Sequence, residues 1–336
     1  MKKLVDDPRL MIYICELYYN KEKSKQEIGA ELGLSRPTVN RLLAAAKEKG
    51  VVSINIPDLE AIRYWELEQQ LTDAYGLKDA LIVDYTEDYS QLTESLGKAA
   101  ARYLQQVIRE DYVVGISMGR SLLKTVENVT DPHVTNVVFV SLLGGLGKLR
   151  LDLHSNPLTE HLAFVYGGDF YPIHAPARVS TISAKRELMK EQSIAVAINL
   201  MKKLDVAVVG IGVPGENSAL MATELFEWKE LETLSRNGAI GEVCMQFFDI
   251  EGNLQNYNKN NQVIGIPIER LRKVPYSIGV AGSKQKVNAI LGAIRGGYIN
   301  VLITDTYCAR ALLDEAEGNP SAAAEAGQPV KNEASP

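Results

Sequence analysis

The sequence predicts an α/β protein in two parts: an N-terminal helix-turn-helix domain, winged-helix-like, followed by a doubly wound, Rossmann-like body. Three observations predict it. Between Ser24 and Gly50, two capped helical patterns flank a glycine turn. Beyond residue 77 the chain repeats a unit of short apolar run, glycine-bearing loop and helical segment. Positive charge is local, with seven Lys or Arg against four Asp or Glu between Lys21 and Gly50, in a chain that carries 36 against 42 and a net charge of −6.

The first helical pattern starts at Ser24, three residues ahead of Glu27 in capping-box spacing, and puts Ile28 and Leu32 on one face. Gly33 supplies the turn and Leu34 plugs the angle between the helices. Ser35 caps a second helix whose early Pro37 is tolerated because first-turn amides have no intrahelical partner. Val39, Leu42 and Leu43 turn inward on that helix, leaving Arg36, Thr38, Asn40 and Arg41 outward. With Lys25 and Ser35 these make the candidate DNA-reading set, because such groups bond base edges and phosphates. Gly29, where the motif usually has alanine, is expected to weaken the first helix by about 1 kcal/mol. Val51 to Ile56 alternates Val52, Ile54 and Ile56, which predicts a strand forming one side of a wing and ending at Pro57. The DNA-binding domain is thus 1–57. Residues 58–76 hold Ile62, Trp65, Leu67, Leu71 and Tyr75 at helical spacings and predict a linker helix, whose Trp65 either pairs subunits or packs on its own body. Pairing suits a reader that covers two half-sites on successive turns of one DNA face.

In the body, 77–313, the unit recurs five times. Tyr112–Ile116 leads to SMGRSLLKTVENV, Val137–Leu143 to GGLGK, Val206–Val209 to GIGVPGENS, Ser277–Val280 to AGSKQKVNAILGAI, and Val301–Thr304 to DTYCARALLDEA. Such alternation gathers the loops at the carboxyl ends of a parallel sheet, where ligands bind. In Gly115-Ile116-Ser117-Met118-Gly119-Arg120-Ser121, small residues let amides approach an anion, and the hydroxyls and guanidinium add donors, so phosphate is the expected guest. Gly145, in the GGLGK loop, joins the candidate ligand set at the same sheet edge. Asp249 in FFDIEG is placed to accept from sugar hydroxyls, and Lys286 to neutralise an anion or bond a hydroxyl.

Gly210, Gly212 and Gly215 spell a dinucleotide fingerprint, with Glu230 and Glu232 near the ribose-binding distance. Pro214 inside the turn and the weak amphipathicity of ENSALMATE speak against NAD and leave this loop as a border of the pocket. An enzyme would need an acid–base pair beside its substrate. Asp249, Glu242, His154, His161 and His174 are the available groups, and they form no compelling set. Lys148 has Schiff-base chemistry available but no apolar setting to lower its pKa.

No run approaches the roughly eighteen apolar residues of a membrane helix, and MKKLVDDPRL lacks a signal peptide's apolar stretch, so a cytoplasmic protein is expected. Cys15, Cys244 and Cys308 are odd in number and far apart, which predicts reduced, buried thiols and no metal site. Residues 314–336, rich in Ala, Glu, Pro and Gly, predict a disordered tail.

Up to about Leu313 the chain resembles the SorC-type sugar-binding transcriptional regulators, in SKQEIGAELGLSRPTVNRLLAAAKEKGVVSINI, GISMGRSL, NGAIGEVCMQFFDIEG and GSKQKVNAILGAIRGGYINVLITD. The resemblance implies a cytoplasmic, homotetrameric regulator of a carbohydrate-utilisation operon. It would bind double-stranded operator DNA, sense a sugar or sugar phosphate, and need no other cofactor. Its body would be similar to sugar-phosphate isomerases and deaminases, which makes an enzyme with an appended DNA-binding domain the alternative. By the same resemblance Gly119, Arg120 and Ser121 meet the phosphate while Asp249 and Lys286 meet the sugar. The family often has glycine where this chain has Ser283, and an acidic residue where it has Thr306.

Overall fold

The computed structural model describes residues 7–52, 62–130, 132–145, 151–215, 218, 220–223, 225–254 and 261–318. The chain divides into two compact units after Arg63.

The first unit holds α1 (Pro8–Cys15), which runs into a π-helical turn (Glu16–Asn20), then α2 (Lys25–Leu32) and α3 (Arg36–Glu48). The capping box at Ser24 forms in both directions: the Ser24 amide donates to Glu27 Oε2 at 2.8 Å, and the Glu27 amide to Ser24 Oγ at 3.3 Å. Gly33 closes α2 in the left-handed conformation (φ 65°), and Ser35 opens α3 by accepting from the Thr38 amide. Met11, Ile14, Leu17, Ile28, Val39, Leu42 and Ala46 fill the small core.

Gly29 has a positive use that its helix propensity hides. Its carbonyl accepts from the Leu34 amide at 2.8 Å, and a Cβ added to it would lie 2.6 Å from Leu34 O. The missing side chain lets the turn fold tightly against α2. The expected strand at Val51–Ile56 is corrected at its start: Val51 and Val52 are bent back, their amides bonded to Ala46 O at 2.8 and 3.3 Å, so they finish α3 instead of extending. Ser53 to Pro57 and the first part of the expected linker, through Ala61, lie outside the described residues.

The second unit runs α4 (Trp65–Tyr75), β1 (Asp79–Val83), α5 (Tyr89–Val107), β2 (Val113–Ile116), α6 (Arg120–Glu127), β3 (Val138–Ser141), α7 (Ser155–Tyr166), β4 (Asp169–Tyr171), α8 (Ile182–Leu188) and α9 (Gln192–Leu200). It continues through β5 (Val206–Gly210), α10 (Trp228–Arg236), β6 (Gly241–Val243), β7 (Gln246–Phe248), β8 (Tyr276–Val280), α11 (Val287–Arg295), β9 (Val301–Asp305) and α12 (Thr306–Ala316). Seven strands form one sheet in the order β1-β9-β8-β5-β2-β3-β4, every pair parallel. A separate antiparallel hairpin joins β6 and β7.

The central strands are continuous apolar runs because both faces of the sheet are covered. Val206 and Val208 pack into one core with α5, α6 and α7, while Ala207 and Val209, pointing the other way, pack into a second core with α4, α9, α10, α11 and α12. From β2 the chain winds outward in two directions, through β3 to β4 and through β5, β8 and β9. The reversal falls between β2 and β5. There the helices that follow, α6 and α10, leave for opposite faces, so the loops above the two strands part into a crevice.

Two boundaries differ from the sequence reading. The helix expected as a linker belongs to the body: Leu71 is fully buried, Glu68 Oε1 accepts from the Ile82 amide at 2.9 Å, and Tyr75 Oη donates to Leu312 O at 2.5 Å. Trp65 stays 58% exposed. The tail was expected from Asp314, but α12 continues to Ala316, where Arg295 reaches Glu315 at 3.3 Å.

Gly29→Ala is expected to lower the melting temperature of the first unit, because overpacking a backbone oxygen costs about 1–3 kcal/mol and outweighs the helix-propensity gain of about 1 kcal/mol. Calorimetry of the full chain checks this; a rise would contradict it.

Candidate functional site

A cavity of about 700 Å³ opens at the carboxyl ends of the strands, at the reversal. Its wall comes from the loops after β1 (Tyr85 to Glu87), β2 (Ser117 to Gly119), β5 (Ile211 to Gly215) and β8 (Ser283 to Lys286), and from Glu242 and Cys244 of the hairpin.

The loop after β2 leads straight into a helix N-terminus at the cavity. Ser117 is buried; its amide donates to Val208 O at 2.9 Å, and its Oγ accepts from Cys244 Sγ at 3.4 Å. Gly119 takes φ 131°, ψ 166°, a conformation open to glycine, and its amide is spent on Leu153 O at 3.1 Å. Helix α6 then starts at Arg120, so its first-turn amides face the cavity end with the positive pole of the helix behind them. Arg120 is exposed, with its guanidinium 5.6 Å from the Tyr89 ring. The base of the loop is fixed by Ser155, whose Oγ donates to Ile116 O at 2.6 Å and accepts from the Leu142 amide at 3.1 Å.

Opposite stands Glu242, which the sequence reading weighed only for catalysis. The hairpin is tied to the loop after β5 by reciprocal backbone bonds between Gly212 and Glu242, at 3.0 and 2.9 Å. An added Cβ at Gly212 would lie 2.2 Å from Glu242 Oε1, so this glycine makes room for the carboxyl. Burial pushes the Glu242 carboxyl up to about 7, against the bond from the Met245 amide and the charge of Lys286, which pull it down. Burial likewise pushes the Cys244 thiol up to about 12. The signal in the sequence is that Glu242 is the sole charge within AIGEVCMQFF.

Of the sequence-predicted ligand residues, Ser117, Gly119, Arg120, Ser121 and Lys286 line the cavity. Three do not. Asp249 lies past the hairpin and folds onto its own turn, its Oδ1 accepting from the Glu251 and Asn253 amides at 3.0 and 2.8 Å and its Oδ2 from Asn253 Nδ2 at 3.1 Å. Gly115 sits within β2, where a Cβ would strike Leu142 Cδ2 at 2.4 Å. Gly145 spends its amide on Ala175 O and its carbonyl on the Ala177 amide, at 2.8 and 2.7 Å.

The dinucleotide-like glycines border the cavity, as the alternative reading of that loop has it, and Glu230 accepts from Nη1 and Nη2 of Arg178 at 2.8 and 2.6 Å. His154 is buried at the start of α7, and His161 and His174 are exposed away from the cavity wall. Lys148 lies outside the described residues. The three thiols are free and buried, and among the described residues no cluster of metal-ligating side chains forms.

In the first unit, Arg36, Asn40 and Arg41 are exposed on α3, opposite its buried Val39, Leu42 and Leu43. Neither arginine has an ion-pair partner among the described residues. Ser35 and Thr38 are joined through their hydroxyls at 2.8 Å, and the Lys25 ammonium stands 5.5 Å from the Tyr18 ring.

Fold and cavity together define a doubly wound domain with a cavity of small-ligand size at the switch point of a parallel sheet. Comparison with known proteins identifies the kind. The Sugar-bind family, a sugar-binding domain, matches residues 60–314. The deoxyribonucleoside regulator of Bacillus subtilis is 33% identical over 312 residues, covering 91% of this chain and 98% of that protein. The sorbitol operon regulator of Klebsiella pneumoniae is 32% identical over 312 residues, covering 92% and 98%. The crystal structure of that full-length regulator, SorC, superposes with a TM-score of 0.70 over 92% of this chain and 99% of that one. This chain belongs to the SorC-type sugar-binding transcriptional regulators.

A carboxyl held at about 7 in the fold, against its ordinary 4.5, binds more protons folded than unfolded between those values, so its contribution to stability falls as pH rises through that window and stays lost above it. Glu242→Gln is therefore expected to raise Tm by a few degrees at about pH 8, with the gain shrinking toward 4.5. A pH-independent change in thermal melts would contradict this.

Proposed function

We propose that this protein is a DNA-binding regulator of a carbohydrate-utilisation operon, switched by a sugar or sugar phosphate in the switch-point cavity. The observation that carries the reading is the anion-type loop at Ser117 to Ser121, in one chain with a helix that exposes Arg36, Asn40 and Arg41.

The first unit acts as a helix-turn-helix of the winged class, with α3 as recognition helix. Arg36, Asn40 and Arg41 meet base edges and phosphates, Thr38, Ser35 and Lys25 hold the flanking backbone, and the duplex is the operator. In the body, the first-turn amides of α6 with Arg120 and Ser121 take the phosphate. Lys286 and Glu242 take the sugar hydroxyls, Glu242 in the role that Asp249 was expected to fill. Gly115 and Gly145 shape the sheet edge without touching the effector. A guest that contacts both walls of the crevice favours one arrangement of the body, and a homotetramer in the cytoplasm transmits this as a change in half-site spacing.

The named relatives are transcriptional regulators, which favours regulation over catalysis. An isomerase or deaminase would place two acid–base groups at the sugar, and of the five candidates Glu242 alone lines the cavity.

The test separates the two activities. Arg41→Ala is expected to weaken operator binding by about 1–3 kcal/mol while leaving effector-induced thermal stabilisation unchanged. Arg120→Glu is expected to abolish that stabilisation by phosphosugars and spare DNA binding of the ligand-free protein. Joint loss of both in either variant, with the fold intact by circular dichroism, would overturn the assignment.

A further inference from the structure

In the cavity wall, residue type and backbone conformation disagree at Ser283. It lies at φ 101°, ψ 150°, a region that glycine enters freely and that any residue with a Cβ enters at a cost. The conformation is fixed from behind. The Ser283 amide donates to Asp305 Oδ2 at 2.6 Å, and Asp305, fully buried, also accepts from the Cys308 amide at 2.9 Å. The Ser283 carbonyl accepts from Cys308 Sγ at 3.2 Å and from the Lys286 amide at 3.0 Å. All of these bonds use the Ser283 backbone, and glycine would make each of them without strain. Among the described residues the Ser283 hydroxyl has no hydrogen-bond partner, and the residue lines the cavity beside Lys286.

Ser283 follows β8, which stands two strands from β2, so the anion loop and Ser283 are roughly 10 Å apart along the sheet edge. That separation fits a phosphosugar of about five or six carbons laid across β5 with its phosphate at α6. We propose that Ser283 is a specificity-determining residue, whose hydroxyl bonds the hydroxyl-bearing end of the effector remote from its phosphate. The proposal rests on reading the cavity as a phosphosugar site.

The test compares full-length wild type, Ser283→Gly and Ser283→Ala by thermal shift and calorimetric titration. The probes are glucose 6-phosphate, fructose 6-phosphate, ribose 5-phosphate and sorbitol 6-phosphate, with inorganic phosphate as reference. The phosphosugar that stabilises wild type is expected to bind both variants about five- to tenfold more weakly, the loss of one hydrogen bond, with inorganic phosphate unaffected. Without ligand, the glycine variant is expected to melt a few degrees above the alanine variant, which keeps the strained Cβ but not the hydroxyl. Unchanged phosphosugar affinity in both variants overturns the proposal and leaves the proposed function standing, and so does a parallel loss for inorganic phosphate, which marks distortion of the whole site. A wild type that none of these phosphosugars stabilises overturns the proposal together with the phosphosugar reading of the cavity on which it rests.

Discussion

The reversal of winding between β2 and β5 is the constraint on which the rest of the body depends. Two adjacent parallel strands whose following helices leave for opposite faces cannot close the space above their carboxyl ends, and the hydrogen-bonding capacity of the loops there is turned toward that space. The crevice therefore follows from topology before any side chain is chosen. What the sequence adds is chemistry at its rim: an α6 that begins directly at Arg120 on one side and a carboxyl on the other.

The rim is held by contacts with little tolerance. Ser155 bonds both Ile116 O and the Leu142 amide and so couples the ends of β2 and β3 beneath the loop that leads into α6. Gly212 yields the space into which the Glu242 carboxyl is pressed, and the β6–β7 turn places Cys244 and Met245 at φ 51° and 59°, left-handed values that non-glycine residues adopt at a cost. Strained backbone, a carboxyl shifted toward neutrality and a non-glycine residue at φ 101° all gather around one cavity. Such features persist where the surrounding fold over-determines them, and they mark the places where a protein gives up stability for a binding surface.

Sequence patterns reach the parts of this architecture whose physics is local. The strands β2, β3, β5 and β8 are apolar runs that end in glycine-bearing loops, β9 is an apolar run that passes directly into α12, and the caps at Ser24 and Ser35 are matters of three-residue spacing. Edge strand β4, only three residues long, carries a weaker run, so it escapes notice until its partner β3 is in place. Asp249 and Glu242 differ for a similar reason. Both lie near apolar stretches, but which carboxyl reaches the cavity is decided by a hairpin that turns one inward and leaves the other beyond its end, a long-range outcome invisible in spacing. Gly29 is read from propensity as a defect and from packing as a requirement, because propensity says nothing of the Leu34 carbonyl.

Under the proposed function, occupancy of the switch-point cavity and DNA binding by α3 are thermodynamically linked. The most direct measurement is the affinity of the full-length protein for DNA flanking its own gene, by fluorescence anisotropy, with the cavity empty and then saturated with a stabilising phosphosugar. Linkage predicts a change of about fivefold or more, and an equal change in phosphosugar affinity when the DNA is present. Identical DNA affinity in the two states would contradict the account.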